Sequence, residues 1–136
     1  MIKVLIADDH ELIRTGMKMI LQDGFTIAEF GEASDTSSLI EMATTTSWDI
    51  VISDMSMPGG GGLVALKKIL ELKPDQRILI VTTYPQEQYA VHVIRAGAFG
   101  FLTKDIAHEE LIPAVTMILA GQRYIPQGIS DELSDI

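Results

Sequence analysis

Short β-branched runs alternate along the chain with stretches whose apolar residues recur at helical spacing. Ile2 to Ala7, Thr26 to Phe30, Ile50 to Ser53, Ile78 to Thr82 and Phe99 to Leu102 read as five strands. Several are apolar without alternation, as expected of parallel strands covered on both faces. Ile13, Gly16, Met17, Ile20 and Leu21 keep a helical period, as do Leu111, Val115, Ile118 and Leu119. Segments around Ser38–Ala43, Leu63–Leu72 and Gln86–Ala96 supply three more helices. Gly24 and Gly97 suit helix ends, and Pro74 follows another. Strict alternation of strand and helix predicts an open α/β sheet. In such sheets ligands sit outside the carboxyl ends of the strands, near the point where strand order reverses. The residues that follow each strand therefore carry the functional question.

Composition narrows the classes. The chain has 136 residues, suited to one core. No apolar run approaches the ~18 residues of a membrane span, and Val4–Ala7 stops at Asp8 and Asp9, too short for a secretory signal. There is no cysteine, which removes disulfide scaffolds, thiolate zinc sites and cysteine nucleophiles. The expectation is a soluble, cytoplasmic protein. Net charge is −9, so the surface repels a phosphate backbone, and DNA contact would need another domain or chain. From Gly121 to Ile136 the rhythm is lost, as in a linker or tail.

Asp8 and Asp9 directly follow the first strand, and Asp54 follows the third. The predicted sheet opens both strand ends onto one edge, where three carboxylates converge and repel unless a cation lies between them. Oxygen ligands of this kind suit Mg²⁺. Any one of these acids alone would more simply be solvated or cap a helix; their alignment by the fold is what singles them out. Thr82 ends the fourth strand and Lys104 follows the fifth, a hydroxyl and an ammonium suited to holding phosphoryl oxygens. His10, His92 and His108 lack paired metal-ligand spacing, and His10 reads as a partly exposed helix residue near the acidic pocket.

These residues resemble a known family. Asp8-Asp9-His10 with Leu12, Arg14 and Gly16, then Asp54 with Met57-Pro58, Thr82, and Phe101-Leu102-Thr103-Lys104 are similar, in order, to the signature of two-component response regulator receiver domains. The likeness covers about residues 2 to 120; His10, Arg14, Ala96-Gly97-Ala98 and Ala120-Gly121 with Tyr124 resemble the NarL/LuxR-type branch. It implies a CheY-like (flavodoxin-like) doubly wound sheet of five parallel strands flanked by five helices. Residues 1–121 would be the receiver domain, and 122–136 a linker towards a C-terminal helix-turn-helix domain absent from this chain. The resemblance makes Asp54 the phosphoacceptor for a sensor histidine kinase, with Lys104 and Thr82 on the phosphoryl oxygens. Asp9, Asp54 and the Ser56 backbone carbonyl would ligate Mg²⁺ (or Mn²⁺), with Asp8 acting through water. Thr82 and Phe101 would form the switch, although ordinary core packing also accounts for Phe101. Phosphorylation would promote a homodimer, through helices one and five or through the face of helix four, strand five and helix five. DNA would be met only through the absent domain.

Three features depart from the family pattern. Gly59 to Gly62 are four consecutive glycines, expected to loosen the loop beside Asp54 at up to ~1 kcal/mol per residue in ordering. Asp105 stands where proline often follows the lysine, and a cis bond there would cost ~3 kcal/mol. Pro113 falls inside the fifth helical pattern and kinks that helix unless it starts late. Other readings are a stand-alone receiver in a phosphorelay and a Mg²⁺-dependent phosphohydrolase with an aspartyl nucleophile. The latter usually places Asp-x-Asp after strand one, where this chain has Asp-Asp-His-Glu-Leu. No Gly-x-Gly-x-x-Gly follows strand one, so a dinucleotide-binding domain is poorly supported. The domain is thus read as a switch rather than a turnover enzyme. Thr83 and Ser56, at the expected pocket mouth, would tune the phosphoryl lifetime by controlling water access.

Overall fold

A computed structural model of the chain describes residues 1–83, 86–126 and 129, and of residues 86–88 the backbone alone. Strands β1 (Ile2–Ala7), β2 (Ile27–Ala33), β3 (Ile50–Ser53), β4 (Ile78–Thr82) and β5 (Gly100–Thr103) alternate with helices α1 (Glu11–Gly24), α2 (Thr36–Thr45), α3 (Gly61–Leu72), α4 (Gln86–Arg95) and α5 (Ala107–Leu119). A 3₁₀ turn, Lys104–Ile106, joins β5 to α5. The five strands form one parallel sheet in the order β2-β1-β3-β4-β5. Order therefore reverses between β1 and β3, the place where the doubly wound fold opens its ligand crevice.

Side chains of each central strand alternate between two cores. Leu5, Val51, Ile80 and Phe101 join Leu39, Leu66, Ile69 and Val93 on one face. Val4, Ile52, Val81 and Leu102 join Met17, Leu21, Leu111 and Ile118 on the other. Burying a large aliphatic side chain is worth about 1.5–3 kcal/mol. Two such layers make the sheet a fixed frame from which the strand-end residues project.

The structure corrects or decides three points of the sequence reading, and β5 lies one residue later than expected. β2 runs past Phe30 to Ala33, because Gly31 is not a stop: a Cβ there would lie 2.4 Å from the Trp48 ring, so glycine lets the indole pack on the strand. α5 starts at Ala107 and holds Pro113 in its interior rather than starting after it. The proline lies on the exposed face, where water can reach the Glu109 carbonyl that loses its donor. The Lys104–Asp105 peptide is trans, as are all those described, so that position needs no proline. In the expected linker, Tyr124 pairs with Gly100 as a single parallel bridge, and Ile129 is buried. Residues 127, 128 and 130–136 of that segment lie outside the described residues.

Candidate functional site

Register brings the strand ends into line. Ala7 pairs with Ser53 and Thr82 with Thr103, so Asp8, Asp54, Thr82 and Lys104 emerge at one edge of the sheet. The Asp54 N–H donates to the Ala7 carbonyl at 2.9 Å, and the Asp8 N–H to the Ala33 carbonyl at 3.0 Å, extending the ladder by one residue beyond each strand. Asp8 is fully buried and Asp54 is 4% exposed. Lys104 ties the two: its Nζ lies 2.7 Å from Asp8 Oδ2 and donates to Asp54 Oδ2 at 3.3 Å. Burial pushes the Lys104 ammonium down, but the Asp8 carboxylate at hydrogen-bond range and the Asp54 charge outweigh it and hold its pKa above 10.5.

Asp9 stands in front of this pair and faces solvent. His10, at the N-cap of α1, places Nδ1 3.0 Å from both Asp8 Oδ1 and Asp9 Oδ1, while its backbone N–H donates to Asp8 Oδ1 at 2.8 Å. Asp8 Oδ2 receives no well-directed hydrogen bond; the lysine charge is its partner. Among the described residues, Asp8, Asp9 and His10 bring donor atoms within 4.8 Å of one another. The neighbouring carboxylates of Asp8 and Asp9, two hard oxygen donors, fit a divalent cation such as Mg²⁺. Asp54 connects to this group through Lys104, and Ser56 lies exposed in the loop two residues beyond it.

The glycine loop is anchored rather than slack. Thr36 N–H donates to the Pro58 carbonyl and Thr36 Oγ1 accepts from the Gly61 N–H, both at 2.9 Å, fastening the loop to the start of α2. Gly59, Gly60 and Gly61 all have positive φ, a region that disfavours side chains. At Gly62 the constraint is contact, since a Cβ would fall 2.2 Å from the Asp54 carbonyl oxygen. The four glycines let the chain double back against Asp54.

Thr82 is buried at the end of β4, and Thr83 is exposed beside it. Phe101 is fully buried in the core on the α4 side of the sheet. Sequence reasoning gave Arg14 no role. Its guanidinium donates to the Asp8 carbonyl and to Glu32 Oε1, the latter at 3.0 Å. Hydrogen bonds from Lys18 and Arg14 hold the Glu32 carboxyl below its ordinary value. A basic residue four beyond His10, facing an acid on the next strand, was the available signal. Thr36 left none, because its partners lie more than twenty residues away in sequence.

Residues 4–116 match the response regulator receiver domain family. The chain is 40% identical over 134 residues to response regulator UvrY of Escherichia coli, covering 98% of this chain and 62% of that protein. It thus spans less than two thirds of that relative's length. Among solved structures it is similar to a LuxR-family two-component response regulator from Aurantimonas, with TM-score 0.89 and 31% identity over 98% of this chain and 96% of that one. It is also similar to the RcsB response regulator of Salmonella typhimurium, a structure concerned with DNA interaction, with TM-score 0.88 and 26% identity over 100% of this chain and 71% of the other. The sheet order agrees with these likenesses, and the chain belongs to the response regulator receiver domain family.

Proposed function

We propose that this receiver takes a phosphoryl group on Asp54 from a phosphohistidine of a sensor histidine kinase, and that the acyl phosphate controls a transcription-regulating output domain. The observation that carries the reading is Lys104 held between two buried carboxylates at the strand-order reversal. An Asp54 carboxylate oxygen attacks phosphorus, the phosphorus–nitrogen bond breaks, and the electron pair stays on the histidine ring. Lys104 meets charge developing on the phosphoryl oxygens, and the Thr82 hydroxyl donates to another of them. Asp9, Asp54 and the Ser56 carbonyl, with Asp8 through water, would hold Mg²⁺ or Mn²⁺. That cation neutralises the phosphoryl oxygens when bound. Ser56 and Thr83 would limit the approach of hydrolytic water, and bulkier residues there should slow dephosphorylation.

Thr82 and Phe101 would carry the signal. Movement of the Thr82 hydroxyl towards the phosphoryl group shifts the end of β4 and, through its pairing with Thr103, the end of β5. Output would be a homodimer acting on DNA through a further helix-turn-helix domain, consistent with the relation to RcsB. No described helix is long and apolar enough to cross a membrane, and a cytoplasmic location fits this reading. The domain would act as a switch that promotes its own phosphorylation and dephosphorylation rather than as a turnover enzyme.

Intact mass after incubation with Mg²⁺ and acetyl phosphate tests the chemistry. One phosphoryl adduct is expected on the wild type, absent from Asp54→Ala and without Mg²⁺. No adduct, with acetyl phosphate or with a phosphoramidate donor, overturns the reading.

A further inference from the structure

The end of α5 fixes where the chain goes next. Gly121, at positive φ, closes a paired turn in which the Gln122 N–H donates to the Met117 carbonyl at 2.9 Å and the Gly121 N–H to the Ile118 carbonyl at 3.0 Å. Arg77 Nη1 donates to the Ile118 and Leu119 carbonyls at 2.9 and 3.1 Å, so the terminal carbonyls are taken up. Both Arg77 and Arg123 lie about 5.5 Å from the Phe99 ring. Thus directed, the chain meets the outer edge of β5. The Tyr124 N–H donates to the Phe99 carbonyl at 3.0 Å, and the Tyr124 carbonyl accepts from the Phe101 N–H at 3.1 Å. Gly100 permits this approach, since a Cβ there would stand 3.0 Å from the Tyr124 oxygen. Ile129, 4% exposed, belongs to the same apolar cluster as Phe101, Ala90, Val93 and Ile94, and Ile125 packs against that cluster.

The segment is therefore seated on β5 and on the core beneath α4, and one of its two backbone bonds comes from Phe101 itself. Phe101 lies three residues before Lys104, the cation held between Asp8 and Asp54. When Lys104 shifts towards a phosphoryl oxygen, the β5 end carrying it is the element displaced. The seat consists of a single bridge and two isoleucines, whereas β5 is also bonded along its whole inner edge to β4. Strain at the β5 end thus falls on the thinner contact. We propose that residues 122–126 with Ile129 form a strap that is held on the β5 edge while Asp54 is unmodified and is released when Asp54 is phosphorylated. The inference rests on the reading of Asp54 as the phosphoacceptor. Linkage makes the coupling reciprocal: unseating the strap favours the phosphorylated pocket.

Amide exchange on the 136-residue chain tests this, with and without Mg²⁺ and beryllofluoride as the phosphoryl mimic. Loading should speed exchange at Tyr124 and Phe101 by at least roughly tenfold while leaving Ile6 in β1 unchanged. Ile129→Ser should speed the same two amides without loading and tighten beryllofluoride binding several-fold by calorimetry. If that variant fails to fold, Tyr124→Pro, which deletes the N–H to Phe99, replaces it, with faster exchange expected at Phe101 and the same gain in beryllofluoride affinity. Unchanged or better-protected amides in a loaded wild type overturn the strap, as does a folded variant with wild-type affinity. If the wild type binds no beryllofluoride and forms no adduct, the phosphoacceptor reading fails and the strap's dependence falls with it. Binding with unchanged amides sinks the strap alone.

Discussion

Lys104→Met isolates what the lysine contributes before any phosphoryl transfer. Methionine keeps an unbranched stem of similar reach but removes the charge that lies 2.7 Å from Asp8 Oδ2 and 3.3 Å from Asp54 Oδ2. Removing one partner of a fully buried ion pair costs about 3–5 kcal/mol, mostly from the charge left behind. The Lys104 side chain is 15% exposed and Asp9 opens to solvent, so water screens part of this and a loss of about 2 kcal/mol is expected. For a chain of this length that corresponds to a fall in Tm of roughly 6–10 °C. Thermal and urea unfolding at pH 7 in EDTA measure it.

The pH dependence supplies the sharper test. In wild type the Lys104 pKa is raised above 10.5, so its contribution is fully present below that value and is lost only as pH rises through the higher folded value. In Lys104→Met the two buried carboxylates are left without their counter-ion. The deficit should therefore persist through neutral pH and close only in alkali, as the wild-type lysine loses its proton at its raised folded value. Adding Mg²⁺ at about ten times its dissociation constant should return ~1.4 kcal/mol by mass action. An unchanged or raised Tm at pH 7 in EDTA would refute the charge-balance argument.

Gly62→Ala drives a methyl group to 2.2 Å from the Asp54 carbonyl oxygen and 2.9 Å from Met55 Cα, both backbone atoms. It should cost ~2–3 kcal/mol in urea unfolding and slow phosphorylation by acetyl phosphate roughly tenfold or more through misplacement of Asp54. Pro113→Ala restores an N–H on the exposed face of α5. It should raise stability by about 1–2 kcal/mol, the recovered helix bond less the added freedom of the unfolded chain; an unchanged or lower urea midpoint would count against the missing donor as a cost. Asp35→Asn keeps an acceptor for the Ser38 N–H, now 2.7 Å from Asp35 Oδ1, but removes charge at the N-terminus of α2. That hydrogen bond holds the Asp35 carboxyl below 3.8, so its advantage exists above pH 3.8 and disappears as pH falls through the lower folded value. The Tm curves of the two proteins should accordingly converge in acid.

Strands β1, β3 and β4 were legible to the residue, because buried parallel strands are apolar on both faces and end abruptly at acids or threonine. β2 was not, because an edge strand with the exposed Glu29 and Glu32 on its two faces does not advertise where pairing stops. In the site, Asp8, Asp54 and Lys104 were readable from their place after strands. The part played by Lys104 in the unmodified protein was not, since sequence gives neither the burial of Asp8 nor which acid the ammonium contacts. The glycine run was visible but its meaning was not: composition alone suggests slackness, whereas positive φ and contact with the Asp54 carbonyl show a tight return. The described part of the expected linker was opaque for the same reason, as its partners on β5 lie more than twenty residues away.

Charge balance links these features to function. Asp8, Asp9 and Asp54 face one lysine, while Arg14 is turned towards the Asp8 carbonyl and Glu32. Three carboxylates against one ammonium leave the pocket with an uncompensated negative charge even before modification. Phosphoryl groups on side chains carry about −1.5 to −2 at neutral pH, so converting the Asp54 carboxylate to an acyl phosphate deepens the imbalance. Lys104 cannot answer this alone while it remains on Asp8. Either it transfers to the phosphoryl oxygens and leaves Asp8 buried without a counter-charge, or a cation held by Asp9 and Asp54, which Asp8 reaches through water, supplies that counter-charge. The second arrangement predicts that Mg²⁺ dependence of phosphorylation weakens in Asp8→Asn, which no longer needs the counter-charge, although the adduct still forms on Asp54. A variant whose phosphorylation rate kept the full wild-type response to Mg²⁺ concentration would show that Asp8 plays no part in this exchange.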